Sequence, residues 1–253
     1  MKKLVVSGCS FTFEDWNWPR FLGECYGLSL KDIVNVGMGS QGNGLISKKL
    51  IYAVTKELET QNPKDLMVGI MWSGVDRVDF HSENNYNSGN WGNNGHISNI
   101  SNPTNVAEEK KWYVLNPGWG LNKDSHPLMD NYYEHYHSNV GAMVNTIQCI
   151  LITQWFLKEK KVPYFMTTYM DIFNMYDKEF LNNPEIKYLY DLIDFSKFLP
   201  IRGCFEYIKT NFPEGMPECN NEYDGHHPLE NGHKFFSENA IAPFISEMKK
   251  SLI

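Results

Sequence analysis

The sequence predicts an α/β fold, a three-layer α/β/α sandwich around a mainly parallel, doubly wound sheet. Short runs at residues 1–6, 32–36 and 66–72 have the length and composition of buried strands, and stretches with helical spacing of apolar residues separate them. The run at 66–72 is continuous enough in apolar residues to be a central strand covered on both faces. Strands that alternate with helices in this way favour parallel pairing.

Helices are predicted between and after these strands. Asn17 is positioned to cap a first helix, and Gly27 to end it. Apolar stripes at helical spacing predict further helices at about 44–60, 138–161, 184–200 and 228–250. Another strand is predicted over 162–169, with Pro163 at its start, where no ladder donor is needed.

Residues from about 78 to 137 interrupt this alternation. They form an insertion rich in Asn, Gly, Ser and aromatic residues, with few aliphatic runs, and we expect it to be irregular. Because it follows the carboxyl end of a strand, we expect it to hang over the edge of the sheet where ligands bind. No repeat or low-complexity linker divides the chain, so a single domain over 1–253 is predicted, with this insertion inside it.

Composition and charge exclude several classes of partner. The net charge is −7 and there is no Lys/Arg-rich run, which argues against a nucleic acid or an anionic membrane. The chain has no signal-peptide pattern and no apolar run of roughly 18 residues, so we expect a cytoplasmic protein. Five scattered cysteines without a Cys-x-x-Cys pair indicate free thiols in a reducing compartment.

Groups suited to nucleophilic catalysis lie at the two ends of the chain. Ser10 follows the first strand, at the edge of a parallel sheet where reacting groups collect. Asp224 and His227 are three residues apart, so the carboxylate can accept one ring N–H and leave the other nitrogen free as a base. The Ser, Asp and His types needed for a hydrolytic triad are therefore present, provided that the two ends meet.

Both ends resemble the SGNH, or GDSL-type, hydrolase superfamily. The first block is a strand followed by Gly8-Cys9-Ser10-Phe11-Thr12, where the family usually has Gly-Asp-Ser, and the last block is Asp224-x-x-His227-Pro228. The resemblance implies a flavodoxin-like α/β/α fold and a Ser-His-Asp esterase without a cofactor. In that mechanism the serine attacks an ester carbonyl, the histidine transfers the proton, and the aspartate holds the imidazolium.

The two middle blocks of the family are matched less well. Residues 35–40 match Asn-x-Gly-x-x-Gly, with Ser40 in the last position, and residues 73–76 have Val75 where the family places an oxyanion-binding Asn. The resemblance implies that the backbone N–H groups of Ser10 and Ser40 stabilise the oxyanion, with Gly39 in the same turn. Ser73 or Arg77 is expected to replace the missing Asn, and Arg77 also suits an anionic substrate.

Three other interpretations of these motifs are weaker. Residues 37–42 satisfy the dinucleotide fingerprint Gly-x-Gly-x-x-Gly, but the acidic residues about 20 positions on fall within a predicted helix. The histidines at 226, 227 and 233 lack the ligand spacing of a zinc motif, so no metal is expected. Cys9 should point into the core, because alternate residues of an extended segment face opposite sides.

The expected substrate is a small molecule or an acylated carbohydrate, because aromatic faces flanked by amide side chains suit sugars. The residues expected to contact it are Trp72, Asp76, Trp91, Trp119 and His226. Aromatic residues that pin a long loop to the body would give the same pattern. An O-acyltransferase, or a catalytically impaired protein that binds a glycan on the same fold, remains the alternative function.

Overall fold

The computed structural model describes residues 1–81, 96–100, 112–116, 127–177, 179–217 and 227–250; at 96–100, 127–129 and 249 it describes the backbone alone. The strands are β1 (Lys3–Ser7), β2 (Ile33–Asn35), β3 (Leu66–Trp72), β4 (Val78–His81), β5 (His96–Ile100), β6 (Trp112–Asn116) and β7 (Tyr164–Thr168). The helices are α1 (Ser10–Phe13), α2 (Trp18–Cys25), α3 (Asn43–Glu57), α4 (Pro127–His135), α5 (Asn139–Glu159), α6 (Pro184–Tyr190), α7 (Cys204–Asn211), α8 (Glu230–Phe236) and α9 (Ala242–Lys250), and a π-helical segment (Ser237–Ile241) joins the last two.

A parallel sheet in the order β2-β1-β3-β7 forms the centre of the protein. Val5 of β1 lies opposite Val34 on one side and Val68 on the other. The next strand in the chain, β2, therefore pairs on one side of β1, and the later strands β3 and β7 lie on the other side. With helices on both faces, this arrangement confirms the predicted doubly wound α/β/α fold.

Side chains of the central strands alternate between two separate hydrophobic cores. Val5, Val68 and Ile70 pack with α3, α5 and α6 on one face. Leu4 and Val6 pack with α2, α7, α8 and α9 on the other face. Period-two alternation in strands that are covered on both sides explains why their sequences are apolar throughout.

Gly69 allows large rings to lie directly on the sheet. A Cβ at this position would lie 2.6 Å from the Phe165 ring and 3.0 Å from the Trp18 ring. Trp18 and Phe165 contact each other edge to face, with centroids 5.9 Å apart. Both rings are fully buried, so the space above Gly69 holds the aromatic centre of the second core.

Part of the insertion is regular, which differs from the irregular structure that we expected. β4, β6 and β5 form an antiparallel sheet in which Val78 lies opposite Leu115. Tyr113 and Leu115 are buried against Val78 and Phe80, and Val114 on the opposite face packs against α3. β4 alternates apolar and polar residues over only four positions, and the apolar run of β6 is only four residues long, so both are weak signals amid the surrounding Asn and Gly residues.

Asp79 joins this second sheet to the N-terminus of α3. Its carboxylate accepts the backbone N–H groups of Gly42, at 3.0 Å, and Leu45, at 2.8 Å. Asp79 thus caps α3 although it belongs to a different element. The first backbone N–H groups of a helix have no partner within the helix, and an Asp side chain can accept them. Burial raises the pKa of Asp79 to about 6, although the two N–H groups and the Arg77 charge act in the opposite direction.

The predicted helices are observed, one of them shorter than predicted, and α4 and α7 are helices that the sequence pattern did not predict. Predicted helices at 44–60 and 138–161 correspond to α3 and α5. The predicted helix at 184–200 is shorter, because α6 ends at Tyr190 and only a 3-10 turn follows at Phe195–Lys197. Within the described part of the chain, α5 has the length and apolar composition to cross a membrane, but half of that window is buried inside the protein.

The titration of Asp79 should make stability depend on pH. The folded-state pKa is raised above the unfolded value of 3.8, so the folded protein binds this proton more tightly. The stability that this gives is complete below about pH 4 and is lost as the pH rises through about 6. Urea unfolding should show wild type losing up to about 1.4 kcal/mol per pH unit relative to Asp79→Asn in this window.

Asp15→Asn, at an exposed carboxylate, is the matched control for this prediction. A difference between wild type and Asp79→Asn that stays constant from pH 4 to 7 would contradict it.

Candidate active site

Ser10 is the first residue of α1, and a tight turn places it directly beyond β1. The turn requires Gly8, because a Cβ there would collide with the Thr12 side chain and lie 3.1 Å from the Met71 carbonyl oxygen. Cys9 is fully buried in the second core, as expected. The Ser10 side chain therefore lies at the carboxyl edge of the parallel sheet, and the Cys9 thiol points away from that edge.

A second contact holds the backbone of this turn. Asn17 Nδ2 donates a hydrogen bond of 2.7 Å to the carbonyl oxygen of Ser10. We expected Asn17 to cap α2, and it does occupy the cap position, but its side chain makes no capping bond. The amide instead fixes the turn that presents Ser10.

The two ends of the chain meet at Ser10 and His227. The Ser10 Oγ lies 2.7 Å from the His227 Nε2, which is hydrogen-bonding distance. The Phe11 ring packs against the imidazole, with ring centroids 4.9 Å apart. Asp224 and His226 lie outside the described residues, so the structure brings together the hydroxyl and the imidazole of the expected triad.

The segment that follows His227 is held by close backbone contacts. The Leu229 N–H donates to the Gly215 carbonyl oxygen at 2.8 Å. Gly232 packs directly on Gly215, and a Cβ on Gly232 would collide with that same carbonyl. Two facing glycines thus allow α8 to approach the 213–215 turn and fix the position of His227.

His233 is a core residue beside the His227 ring. It is 1% exposed, and its ring contacts the rings of Phe11 and Trp16. Burial, together with the neighbouring His227, lowers the pKa of His233 to about 3. His233 therefore stays neutral at physiological pH and forms part of the wall behind Phe11.

Ser10 and His227 open into a cavity of about 590 Å³. Its lining comes from residues that follow β1, β3 and β7, from the end of β6, from the start of α7 and from His227. The lining residues are Ser10, Phe11, Gly74, Asp76, Arg77, Asn116, Tyr169, Met170, Asp171, Asn174, Met175, Arg202, Glu206 and His227. The cavity lies where the strand order reverses, between β1 and β3, which is the usual ligand site in open parallel sheets.

The expected oxyanion donors are only partly at the cavity. Ser10 and Arg77 line it, but the described lining does not include Gly39, Ser40 or Ser73. Ser73 is fully buried, and its N–H donates to the Asn43 side chain at 2.8 Å. The backbone N–H of Ser73 thus ties β3 to α3, and the expected role of the Ser73 side chain as an oxyanion donor stays a prediction.

Gly74 is a cavity residue that the sequence interpretation missed. It follows Ser73 at the end of β3 and lines the cavity beside Ser10. Its N–H has no hydrogen-bond partner among the described residues. Its position directly after the carboxyl end of a strand is the sequence feature that could have indicated a cavity residue. The family pattern instead pointed to Val75, which is buried in the core.

The residues that were expected to contact the substrate lie in different places. Asp76 lines the cavity and accepts a hydrogen bond of 3.2 Å from the Tyr176 hydroxyl. Trp72 is wrong, because its side chain is fully buried in the first core instead of facing the cavity. Trp91 and Trp119 lie outside the described residues.

Charged residues on the far wall of the cavity were also missed. Arg202 Nε lies 2.7 Å from a carboxylate oxygen of Asp171, and Glu206 accepts the Asp171 N–H at 3.2 Å. Burial raises the pKa of Glu206. The sequence around α7 has no motif that marks these residues, since their position depends on how α7 packs beside β7.

The described residues contain no group of three or more His, Cys, Asp or Glu side chains arranged to hold a metal ion.

Comparisons with known proteins give similarity in fold. No family model matches this chain, and no curated protein matches it. Among solved structures it is similar to TesA, with a TM-score of 0.48 and 10% identity over 96% of this chain and 98% of that one. It is also similar to a GDSL-like lipase from Bacteroides thetaiotaomicron, with a TM-score of 0.39 and 12% identity over 100% of this chain and 89% of that one.

A Bacteroides fragilis protein provisionally named an acylhydrolase has a TM-score of 0.39 and 14% identity, over 98% of this chain and 88% of that one. Because all three TM-scores lie below 0.5, the chemistry has to be inferred from this chain's own geometry.

The glycine contact behind His227 gives a direct prediction. Gly232→Ala should lower the free energy of unfolding by about 1–3 kcal/mol, the usual cost of overpacking, because the new methyl meets the Gly215 carbonyl. Gly39→Ala is the matched control, since nothing lies within 4 Å of the added Cβ. It should leave stability unchanged or raise it by up to about 1 kcal/mol. Urea unfolding measures both, and equal losses would contradict the prediction.

Proposed function

We propose that this protein is a serine hydrolase that cleaves an oxygen ester, with Ser10 as nucleophile and His227 as general base. The observation that supports this most directly is the 2.7 Å contact between Ser10 Oγ and His227 Nε2 at the wall of the cavity. A serine hydroxyl is a weak nucleophile until an adjacent base accepts its proton, and this geometry provides that base.

In the proposed reaction, Ser10 Oγ attacks the ester carbonyl while His227 Nε2 takes the hydroxyl proton. His227 then gives that proton to the leaving alcohol, and an acyl-enzyme remains on Ser10. Water attacks the acyl group with His227 again as the base, which releases the acid and restores the serine. We assign Asp224 to hold the other nitrogen of His227 and to stabilise the imidazolium.

Two backbone donors are proposed for the oxyanion. The Ser10 N–H lies in the first turn of α1, where helix N–H groups have no partner within the helix. Gly74 lies at the end of the neighbouring strand and lines the same cavity, and its N–H has no partner among the described residues. Removal of one such donor typically costs about 2.7–4 kcal/mol in the barrier, so a pair of them is a substantial part of catalysis.

Cys9 is a poor alternative nucleophile. Its side chain is fully buried in the second core, and reactive thiols need an accessible and electropositive environment. A thiol reaction would need the turn at Gly8 to reverse, and the close contacts of that turn with Thr12 and Met71 oppose it.

An acylated carbohydrate is the substrate class that the aromatic insertion favours, and it remains part of the proposal. An acyltransferase would use the same Ser10 and His227 chemistry with a second alcohol in place of water. A glycan-binding protein without activity would share the cavity but would not acylate Ser10.

Covalent labelling of Ser10 tests the hydrolase proposal. A fluorophosphonate probe should modify Ser10 in wild type and in Cys9→Ala, with the modified peptide located by mass spectrometry. It should fail to modify Ser10→Ala, and His227→Ala should react much more slowly, because the base is lost. Failure to label the folded wild type would contradict the proposal and favour the non-catalytic alternative.

Turnover gives a second test. Release of p-nitrophenol from p-nitrophenyl acetate should fall by about 10⁴-fold or more in Ser10→Ala and in His227→Ala. Ser246→Ala and His135→Ala, at exposed positions far along the chain from the site, are matched controls that should retain the wild-type rate. A rate that survives in Ser10→Ala would show that another group performs the reaction.

A further inference from the structure

Arg77 is a cavity-lining cation that the proposed ester hydrolysis does not use. Its guanidinium forms no ion pair with any carboxylate of the described residues. Of the five N–H donors on a guanidinium, one has a described partner, a long hydrogen bond of 3.4 Å from Nη1 to the Gln41 carbonyl oxygen. A half-buried arginine, most of whose side-chain donors have no partner among the described residues, is suited to bind an anion.

The acidic residues that could neutralise Arg77 are engaged elsewhere. Asp79 accepts the two backbone N–H groups at the start of α3. Asp76 accepts the hydroxyl of Tyr176 and lies 3.7 Å from the His137 ring. The adjacent carboxylates therefore do not form the surface ion pair that the sequence Asp76-Arg77-Val78-Asp79 would suggest.

The other carboxylates of the cavity do not pair with Arg77 either. Asp171 pairs with Arg202 at 2.7 Å and accepts the Asn174 side chain at 2.9 Å. One oxygen of Glu206 accepts the backbone N–H of Asp171, and its other oxygen is buried without a hydrogen-bond partner among the described residues. Arg77 is thus a cavity cation whose charge no described carboxylate balances at contact distance.

Arg77 lies between an aromatic ring of the cavity and the end of β3. Its guanidinium carbon lies 5.5 Å from the centroid of the Tyr169 ring, within cation-π distance. A Cβ on Gly74 would lie 3.9 Å from the Arg77 Nε and 3.3 Å from the Tyr169 hydroxyl. Arg77 therefore lines the cavity beside Gly74 and Tyr169, a position suited to bind a second, charged group of the substrate.

We propose that Arg77 forms a subsite that binds a carboxylate on the ester substrate, so that the enzyme prefers esters carrying a negative charge. This inference rests on the proposed hydrolase function and specifies its substrate class. The planar guanidinium presents paired donors that match a carboxylate in two-point geometry, whereas a lysine at the same place would act as a point charge.

Binding to a Ser10→Ala background tests the subsite without catalysis. Two ligand pairs differ by one charge: monomethyl glutarate against dimethyl glutarate, and acetoxyacetate against its methyl ester. Calorimetric titration at pH 7 should show that, in at least one pair, the charged ligand binds about tenfold to hundredfold more tightly than its neutral partner, the range of a charge-assisted hydrogen bond.

Variants on this background assign the preference to Arg77. Addition of Arg77→Gln should bring the affinity ratio to about one, with little change for the neutral ligand, and Arg77→Lys should keep part of the preference. Arg202→Gln is the matched control, because this arginine also lines the cavity but is exposed and paired with Asp171, and it should keep the ratio. Urea unfolding verifies that each variant is folded.

Three results would overturn the subsite: a ratio near one in both pairs, no binding by any of the four ligands, or a preference that survives Arg77→Gln. Loss of the preference in Arg202→Gln alone would place the subsite on the other wall and would also refute it. A charge preference in a wild type that neither hydrolyses esters nor labels at Ser10 would keep the subsite and remove the hydrolase. Ester hydrolysis without any charge preference would support the hydrolase and refute the subsite.

Discussion

The packing of the C-terminal helices against α2 determines where the chemistry can occur. Ser237 Oγ donates to the Trp18 carbonyl oxygen at 2.8 Å within the buried interface, and the Tyr26 hydroxyl donates to Ala242 at 3.1 Å. Phe236 and other apolar side chains of these helices share the core with α2. Each such residue stabilises the interface by about 1.5–3 kcal/mol. Because α8 starts three residues after His227, this interface places the imidazole beside the turn that follows β1.

The parallel sheet supplies the other half of the site. Its strand order reverses between β1 and β3, so the loops after these two strands diverge and leave a crevice between them. Ser10 follows one strand and Gly74 the other, so both residues line the same opening, and the Gly74 N–H has no partner among the described residues. Asp79 then ties the second sheet to α3, so Arg77 and Asn116 reach this opening on a braced element.

The parts of the fold that local pattern determines were predictable from the sequence. β1, β3, α3 and α5 follow from apolar period and run length, since each is long or strongly biased. The antiparallel sheet was missed, because its strands are only four or five residues long, lie in a stretch rich in Asn and Gly, and become strands only by pairing. Trp72 shows a related limit. In a strand that is apolar throughout, the sequence does not show whether the last side chain faces the core or the cavity beyond the strand's end.

The residues of the candidate site also divide into those that a local motif marks and those that only tertiary packing brings to the cavity. The contact between Ser10 and His227 could be predicted from short motifs in which residue type and spacing suit the proposed chemistry. Arg202 and Glu206 have no such motif, because they join the cavity only through the placement of α7. Sequence order also cannot show that the N–H of Ser73 is bonded to Asn43.

The separation of 217 residues between Ser10 and His227 has a consequence for the protein's synthesis. Ribosomes add about 5–20 residues per second, so Ser10 is made on the order of 10–40 s before His227. In the proposed mechanism the Ser10 hydroxyl stays an ordinary alcohol throughout that interval, because the base that would activate it has not yet been made. The order of synthesis would then keep elongating chains from being acylated at Ser10.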